Sequence, residues 1–207
     1  MSINLPMVIE PKPWTDITGG GYYMQVKRPL KFVRSNMKDI HQVYAQVDMP
    51  NVYKAVNAIQ STAWAINVPM LDIMQAVVSW ANIPEVLDLP SRFPSEKPIR
   101  PVDATEGEHK AWKKATHTWY QMDNKRRSRR LRFDTILSTA EKYRNDQAIY
   151  FPHNVDFRGR VYPVTSLHPQ GDDFMKATLR FSEGRTLGEH GAYWLADHGA
   201  NLYGLDK

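Results

Sequence analysis

Apolar residues recur at helical spacing in the middle of the chain. One run begins after Asp48 and Pro50, which suit a helix cap and a first helical turn, and it extends through Trp64. A second run follows Asn67 and continues to Trp80, and its predicted apolar stripe consists of Met70, Ile73, Met74, Val77 and Val78. Methionine, valine and tryptophan form much of both stripes, which is typical of a hydrophobic core rather than of a cofactor site. The pattern therefore predicts two packed helices.

The region from 83 to 151 combines a proline-rich connection with a long helical stretch. Five prolines between 83 and 102 predict a stiff, irregular connection. Thr105 and Glu108 then have the spacing of a capping box, and no glycine or proline occurs between Glu108 and Phe151. One face of the helix that begins here is predicted to consist of Ala111, Trp112, Ala115, Trp119 and Met122. Asp134 is predicted to cap a further helix inside this stretch. We therefore expect a helical hairpin or a small bundle.

Residues 150–163, with the sequence YFPHNVDFRGRVYP, have the pattern of a β-hairpin. Two extended runs rich in aromatic and β-branched residues flank a turn that contains Gly159. A short helix is predicted to begin near Asp172, and a final amphipathic helix covers 192–203. With a short strand predicted at 31–34, these elements indicate a fold that is mainly α with a small β portion (α+β).

Composition excludes several classes of protein. Apolar residues make up 42% of the 207 residues, which is ordinary for a globular chain and too many for a disordered one. No run of 18 apolar residues occurs, so we predict no transmembrane helix and no membrane partner, and the first residues lack the pattern of a signal peptide. Cysteine is absent, which excludes disulfides and thiolate metal sites and fits a reducing cytoplasm.

Positive charge is concentrated in one helical segment. The net charge is +5, but residues 110–132 carry nine basic residues against Asp123 alone, so this segment holds +8 and the remainder −3. The densest part, here called the basic cluster, comprises Lys125, Arg126, Arg127, Arg129 and Arg130. Such a surface suits contact with the phosphates of a nucleic acid and gives no sign of base recognition. The alternative is a solvated helix face without a ligand.

The turn of the hairpin holds a second group of cationic side chains. Gly159 lets the backbone bend tightly between Arg158 and Arg160, whose guanidinium groups suit phosphates or nucleotide edges. Arg160 and Tyr162 are two residues apart and are therefore expected on one face of a strand. Asp156 is expected to pair with one of the arginines or to accept hydrogen bonds from turn amides. A nucleic-acid contact and a purely structural surface turn both fit these residues.

The sequence predicts no metal site. Asp172 and Asp173 are adjacent, so on a helix their side chains point about 100° apart, and capping is favoured over a two-metal site. None of the seven histidines has the i, i+4 spacing of a helical metal site. The glycines at 19–21 lack a following Gly-Lys-Ser/Thr sequence, so they predict a structural turn rather than a phosphate loop.

Several separated motifs occur together in one order. They are LPMV at 5–8, KPWTDITGGGYY at 12–23, TAW at 62–64, the basic cluster, FPHNVDFRGRVY at 151–162, HPQGDD at 168–173, YWL at 193–195 and HGAN at 198–201. In this combination the chain resembles the single-subunit RNA polymerases of bacteriophages, which are relatives of the mitochondrial enzyme. The resemblance covers nearly the whole chain.

The resemblance implies an organisation into three parts. Residues 1–48 correspond to the end of the N-terminal domain, 49–146 to a helical thumb-like region, and 147–207 to the start of the palm, with its first hairpin and helices. In this family the thumb arches over the template and the nascent RNA hybrid. The basic cluster, on the thumb, is therefore expected to contact nucleic acid.

The resemblance also implies roles for individual palm residues. In the family, the arginine matching Arg160 and the tyrosine matching Tyr162 contact the template–product duplex, and the lysine matching Lys176 lies near the active site. Arg158 and Asp156 fit the same motif, so Arg158 is included among the expected nucleic-acid contacts. No catalytic residue is assigned to this chain.

The resemblance further implies partners and a cofactor. A complete enzyme of this family uses Mg²⁺, a DNA template and an RNA product, but its two metal-binding aspartates and its nucleotide-gripping fingers helix lie on later segments. This chain is therefore expected to bind no Mg²⁺ and to be inactive alone. A complementary C-terminal polymerase fragment would supply the chemistry, and the expected location is the cytoplasm of the host cell.

Three interpretations follow from these residues. The chain is part of a DNA-directed RNA polymerase that grips the template and the RNA–DNA hybrid, a standalone nucleic-acid-binding module, or a nonfunctional remnant. A split gene, a truncated reading frame and a piece of a longer sequence are all compatible origins.

Overall fold

A computed structural model describes residues 4–24, 30–37, 39–80 and 91–204. The helices are α1 (Ile40–Ala45), α2 (Pro50–Gln60), α3 (Val68–Val78), α4 (Glu106–Lys142), α5 (Asp173–Ala177) and α6 (Gly191–Tyr203). The strands are β1 (Val33–Arg34), β2 (Trp64–Ile66), β3 (His153–Asp156), β4 (Val161–Pro163) and β5 (Leu179–Phe181). This confirms the prediction of a mainly α fold with a small β portion. None of the helices in these ranges combines the length and apolar character needed to cross a membrane.

Helix α4 is a single helix of 37 residues. The predicted capping box is present, because the Glu108 carboxylate accepts the Thr105 backbone N–H at 2.8 Å and the Thr105 hydroxyl accepts the Glu108 N–H at 3.4 Å. The predicted new helix start at Asp134 is wrong. The Asp134 carboxylate instead accepts a hydrogen bond from Arg130 one turn earlier, so it supports a helix that no glycine or proline interrupts at this point.

Trp64 lies in a strand and not in the helix that its spacing predicted. Helix α2 ends at Gln60, and Trp64 pairs with Phe181 of β5, with their ring centroids 4.3 Å apart. The Trp64 backbone N–H also donates to the Ile149 carbonyl oxygen at 2.9 Å. Pairing with distant segments therefore overrides the local helical pattern.

Helix α3 buries a residue that its predicted stripe did not include. Leu71 is fully buried, whereas Ile73, which was predicted to face the core, is 56% exposed. Met74 and Val78 are partly buried against the same core. The predicted helix itself is confirmed. Of the predicted proline-rich connection, residues 83–90 lie outside the described residues.

The strands form two small sheets that join distant parts of the chain. One sheet has the order β1-β3-β4, with β1 parallel and β4 antiparallel to β3. The other is the antiparallel pair β2-β5. The three-stranded sheet crosses both boundaries expected at 48/49 and 146/147, and the two-stranded sheet crosses the one at 146/147. The three-part division remains a prediction.

Two hydrophobic cores hold these elements together. The larger core surrounds the C-terminal third of α4 and consists of Ile66, Leu71, Phe133, Ile136, Leu137, Ala140, Tyr143, Ile149, Phe151, Leu167, Met175 and Leu179. The smaller core packs under the three-stranded sheet and consists of Trp14, Ile17, Phe32, Val33, Tyr53, Val56 and Val155. The hairpin lies between them, since Phe151 belongs to the larger core and Val155 to the smaller.

The predicted C-terminal amphipathic helix is present as α6, but none of its residues is buried. Tyr193, Trp194 and Leu195 are each more than 60% exposed. The described residues of this chain therefore leave the apolar side chains of α6 uncovered.

Replacing Phe133 with alanine is expected to reduce the free energy of unfolding by about 3–5 kcal/mol, because its ring is fully buried at the base of α4. Leu131→Ala is the matched control on the same helix, since Leu131 is 71% exposed and its loss should change stability by less than about 0.5 kcal/mol. Denaturant titration of both variants measures the difference. Equal losses would show that the base of α4 is not buried.

Candidate nucleic-acid interface

Strand β3 places the hairpin at the centre of the molecule. All four of its residues are buried. The Val155 backbone N–H donates to the Phe32 carbonyl oxygen at 2.8 Å, and the Trp14 indole N–H donates to the His153 carbonyl oxygen at 3.0 Å. The N-terminal segment therefore holds one side of β3, while β4 pairs with the other. The predicted β-hairpin is confirmed.

The Asp156 carboxylate organises the turn. Its Oδ1 atom accepts the backbone N–H groups of Arg158 at 2.8 Å and Arg160 at 3.0 Å. Its Oδ2 atom accepts two hydrogen bonds from the Arg158 guanidinium, at 3.0 and 3.1 Å, and one from the Tyr162 hydroxyl at 3.3 Å. Both pairings expected for Asp156, with an arginine and with turn amides, occur together.

These contacts also keep Asp156 ionised. Burial by itself would raise the pKa of the Asp156 carboxyl, but the backbone N–H groups of Arg160 and Arg158 and the Arg158 guanidinium together lower this pKa below its usual value. The carboxylate is therefore a stable acceptor throughout the neutral range, and the turn is ordered before any ligand arrives.

The cationic side chains of the turn differ in how strongly they are engaged. Arg158 is tied to Asp156, lies over the Phe157 ring and remains about half exposed. Arg160 is exposed, and within the described residues its side chain has no hydrogen-bond or ion-pair partner. The Tyr162 hydroxyl points to Asp156. Arg160 is thus the turn cation most available to a ligand.

A cleft of about 560 Å³ opens beside the turn. Arg158 and Tyr162 line it from the hairpin, and Arg34 lines it at the end of β1. The combination of two guanidinium groups and an aromatic ring suits a phosphate with an attached nucleoside.

The proline-rich segment 91–102, here called the strap, lies along α4 in the opposite chain direction. The Trp119 indole N–H donates to the Ser95 carbonyl oxygen at 3.0 Å, and the Trp112 indole N–H donates to the Pro98 carbonyl oxygen at 3.2 Å. A proline-rich strand without internal hydrogen bonds leaves its carbonyl oxygens free for such donors.

Arg126 continues the same row of donors. Its guanidinium donates to the carbonyl oxygens of Ser91 and Arg92, each at 3.0 Å. Trp112, Trp119 and Arg126 are seven residues apart, which is about two helical turns, so they form one face of α4. Arg126 therefore anchors the strap.

The members of the basic cluster differ in how deeply their side chains are buried. Asp123 is buried and pairs with Arg126 at 2.7 Å and with Arg127 at 2.8 Å, and Arg130 pairs with Asp134 at 3.0 Å. The side chains of Arg126 and Arg130 are only 19% and 18% exposed. Lys125, Arg127 and Arg129 are exposed. The cluster is thus not one uniform cationic surface.

The adjacent aspartates are paired with cations from different elements. Asp172 lies 3.3 Å from Arg132 of α4, and Asp173 lies 3.2 Å from Lys176. Asp172 is the N-cap residue of α5, although its side chain makes no capping hydrogen bond. Within the described ranges no three potential ligands cluster as a metal site would require.

Lys176, in the last turn of α5, is about half exposed. The base of α4 is joined to α5 by the Arg132–Asp172 ion pair and by the Phe133 and Phe174 rings, whose centroids are 5.2 Å apart. These contacts connect α4 to the segment that carries Lys176.

The glycine loop at 19–21 is explained by packing. A Cβ atom on Gly20 would lie 2.3 Å from the Trp14 ring, and Gly19 and Gly21 have φ angles of 80° and 82°. Trp14 is 1% exposed and belongs to the smaller core. The loop therefore serves to bury Trp14.

Sequence reasoning missed the contribution of four residues to this arrangement. Trp14 and Gln60 support β3, since the Gln60 side chain bonds to the Lys12 carbonyl oxygen and to the His153 backbone N–H. Trp112 and Trp119 were predicted as a helix face, but not as strap contacts. The sequence signal for that role was the seven-residue spacing of the two tryptophans shortly after a proline-rich segment.

Comparison with known proteins relates the whole chain to one group of enzymes. The family described as "DNA-directed RNA polymerase N-terminal" matches residues 1–61. The DNA-directed RNA polymerase of Enterobacteria phage T3 is 46% identical over 98% of this chain, and T7 RNA polymerase of Escherichia phage T7 is 44% identical over 98%. This chain is homologous to one segment of the phage-type RNA polymerases. The resemblance recognised in its motifs is thereby confirmed.

The relationship extends to organelle enzymes and covers a limited part of each relative. The mitochondrial DNA-directed RNA polymerase of Neurospora crassa is 35% identical over 99% of this chain. The chain spans 23% of the length of the T3 and T7 polymerases and 14% of the Neurospora enzyme. The hairpin, α4 and the strap all lie inside the matched phage polymerase segment.

Replacing Gly159 with alanine is expected to reduce the free energy of unfolding by about 1–2 kcal/mol, because Gly159 has a φ angle of 79°, which L-residues rarely adopt. No atom lies within 4 Å of the added Cβ, so backbone strain alone causes the loss. Gly184→Ala is the control, since that position is equally open and does not have a positive φ. Equal stability of the two variants, measured by denaturant titration, would contradict the strained turn.

Stability is expected to fall as the pH drops through about 6.5, the ordinary histidine pKa. Burial lowers the pKa of both His153 and His168 in the folded chain. The pKa of His153 is lowered further by nearby His168, and the pKa of His168 is lowered further by nearby Arg132. The unfolded chain therefore binds protons that the folded chain excludes. Above this pH the contribution of the two neutral histidines to the free energy of unfolding is fully present. The Asp156 carboxyl, whose pKa is lowered, becomes protonated only at much lower pH.

Denaturant titrations at several pH values between about 5.5 and 8 measure this dependence. His153→Asn and His168→Asn should each flatten the slope by up to one proton. A pH dependence of stability that persists in both the His153 and the His168 variants would refute its assignment to these histidines.

Proposed function

We propose that this chain acts as one part of a DNA-directed RNA polymerase, in which it grips the template and the RNA–DNA hybrid. The observation that carries this proposal is the match of 98% of the chain to phage RNA polymerases, including the hairpin motif. The proposed contacts are Arg158, Arg160, Tyr162 and Lys176 from the palm-like part and the exposed members of the basic cluster from α4. Templated ribonucleotidyl transfer would be the reaction of the complete enzyme.

The chemistry itself is assigned to other segments. In this proposal the Mg²⁺ that such a reaction uses is held by later segments of the complete enzyme, as the family resemblance implies, while Asp172 and Asp173 pair with Arg132 and Lys176. We assign this chain the roles of orienting nucleic acid and holding phosphates, and a complementary polymerase segment the catalytic role. The proposed location is the cytoplasm of the host cell.

The preformed turn supports a positioning role for the hairpin. The ionised Asp156 carboxylate holds the backbone around Arg160, and the Arg160 guanidinium remains available to a phosphate. An ordered donor loses little conformational entropy on binding, so it discriminates between correct and misplaced ligands more sharply than a mobile one.

A standalone nucleic-acid-binding module is the second candidate. It is favoured by the two hydrophobic cores, which join buried side chains from Trp14 through Leu179. A module of this kind would unfold cooperatively and bind nucleic acid without any polymerase partner. Loss of cooperativity in a thermal melt would exclude it.

The first proposal is tested by exchanging the matched segment of the phage T3 polymerase for this chain and measuring templated RNA synthesis. We expect the chimera to be active, and Arg160→Gln to reduce synthesis about tenfold or more, as loss of a charged hydrogen bond of about 1.5–3 kcal/mol would. Arg185→Gln, which changes an exposed arginine in the loop before α6, is the charge-matched control. A folded chimera without activity would refute the polymerase role.

A further inference from the structure

Helix α4 presents a second cationic face, away from the strap. Lys110 and Lys114 are one turn apart, and Lys125 follows Lys114 by eleven residues, which is about three turns. The three side chains therefore share a face, here called the lysine row. At about 100° per residue, Lys110 and Lys114 lie about 160° around the helix axis from Trp112, which faces the strap.

The lysine row is not neutralised by the protein. All three lysines are exposed, and none of them has a hydrogen-bond or ion-pair partner in the part of the chain that the structure describes. Arg126 and Arg130, by contrast, are mostly buried and bound to Asp123 and Asp134. Unpaired ammonium groups that span about 22 Å along a rigid helix suit the repeating charges of a phosphate backbone.

An apolar groove lies between the lysine row and the strap. Its volume is about 490 Å³, and Pro98 of the strap forms one wall. Ala111, Ala115 and Met122 line its floor, Trp119 lies on the strap side, and Lys114 lies on its other edge. Met122 is 64% exposed, so the groove is open to a ligand.

We propose that this face of α4 binds a single-stranded stretch of nucleic acid. The phosphates contact Lys110, Lys114 and Lys125, and the bases lie in the apolar groove. A duplex fits less well, because its bases are stacked inside and only its backbone would reach the groove. Cationic rows beside apolar or aromatic platforms are the usual arrangement for binding single strands.

This inference rests on the proposed contact with nucleic acid and changes which residues make it. The basic cluster was predicted to supply five phosphate contacts. In the present proposal Arg126 anchors the strap and Arg130 pairs with Asp134 within α4. Lys110 and Lys114, which lie outside the cluster, join Lys125 and the other exposed members of the cluster as phosphate contacts.

The first test measures binding of the full chain to a fluorescent single-stranded DNA oligonucleotide at several salt concentrations. Replacing Lys110, Lys114 and Lys125 together with glutamine should reduce the slope of log K against log [salt] by about 2, which is three lost contacts at about 0.7 each. The charge-matched control replaces three exposed lysines outside α4, Lys12, Lys31 and Lys54, and should retain the slope.

The outcomes separate the two proposals. If the unmodified chain binds no nucleic acid, the proposed function fails. If it binds, but the lysine-row variant keeps the wild-type slope or the control variant loses as much, only the lysine row is refuted.

The second test compares an ordinary single strand with an abasic strand of the same length and charge, and measures the effect of the lysine-row substitutions on a duplex. The ordinary strand should bind about tenfold more tightly than the abasic strand, because bases contribute contacts in the groove. Equal affinity for the ordinary and abasic strands, or a lysine-row variant that loses as much affinity for the duplex as for the single strand, would overturn the assignment of bases to the groove.

Discussion

The burial of one end of α4 determines the arrangement of the other end. Phe133, Ile136, Leu137 and Ala140 lie in the larger core, so the last third of the helix cannot turn or shift without exposing apolar surface. An uninterrupted helix transmits this orientation over its whole length. The strap adds a second restraint through the indole N–H groups of Trp112 and Trp119. A helix that extends beyond the core is thereby held in one direction.

The hairpin is restrained in a comparable way, but by hydrogen bonds around one carboxylate. Asp156 lies at the end of a buried strand and accepts bonds from two backbone N–H groups, a guanidinium and a hydroxyl. Because several donors lower its pKa, the carboxylate stays charged and the turn keeps one conformation. The α4 face and the hairpin are thus two restrained surfaces, connected through the larger core, which contains Phe133 of α4 and Phe151 at the start of the hairpin.

Local patterns predicted these elements well where local interactions decide the conformation. The capping box at Thr105 specifies the start of α4, and the positive-φ glycine in DFRGR specifies the hairpin turn. Prediction was wrong where distant segments compete. Trp64 fits a helix by spacing but pairs with Phe181, and Asp134 resembles a cap but bonds to Arg130 within a continuous helix. A single window of sequence does not contain these partners.

The sequence by itself determined the polymerase relationship, the mainly α fold and the cationic character of α4 and the hairpin turn, because motifs, periodicity and charge are properties of the chain. Only the tertiary structure decided which cations are available. Arg126 and Arg158 are engaged with Asp123 and Asp156, while Arg160 remains exposed. The physical reason is that a cation's availability to a ligand depends on the acceptors folded around it, and several of those acceptors are backbone carbonyl oxygens that no residue pattern reveals.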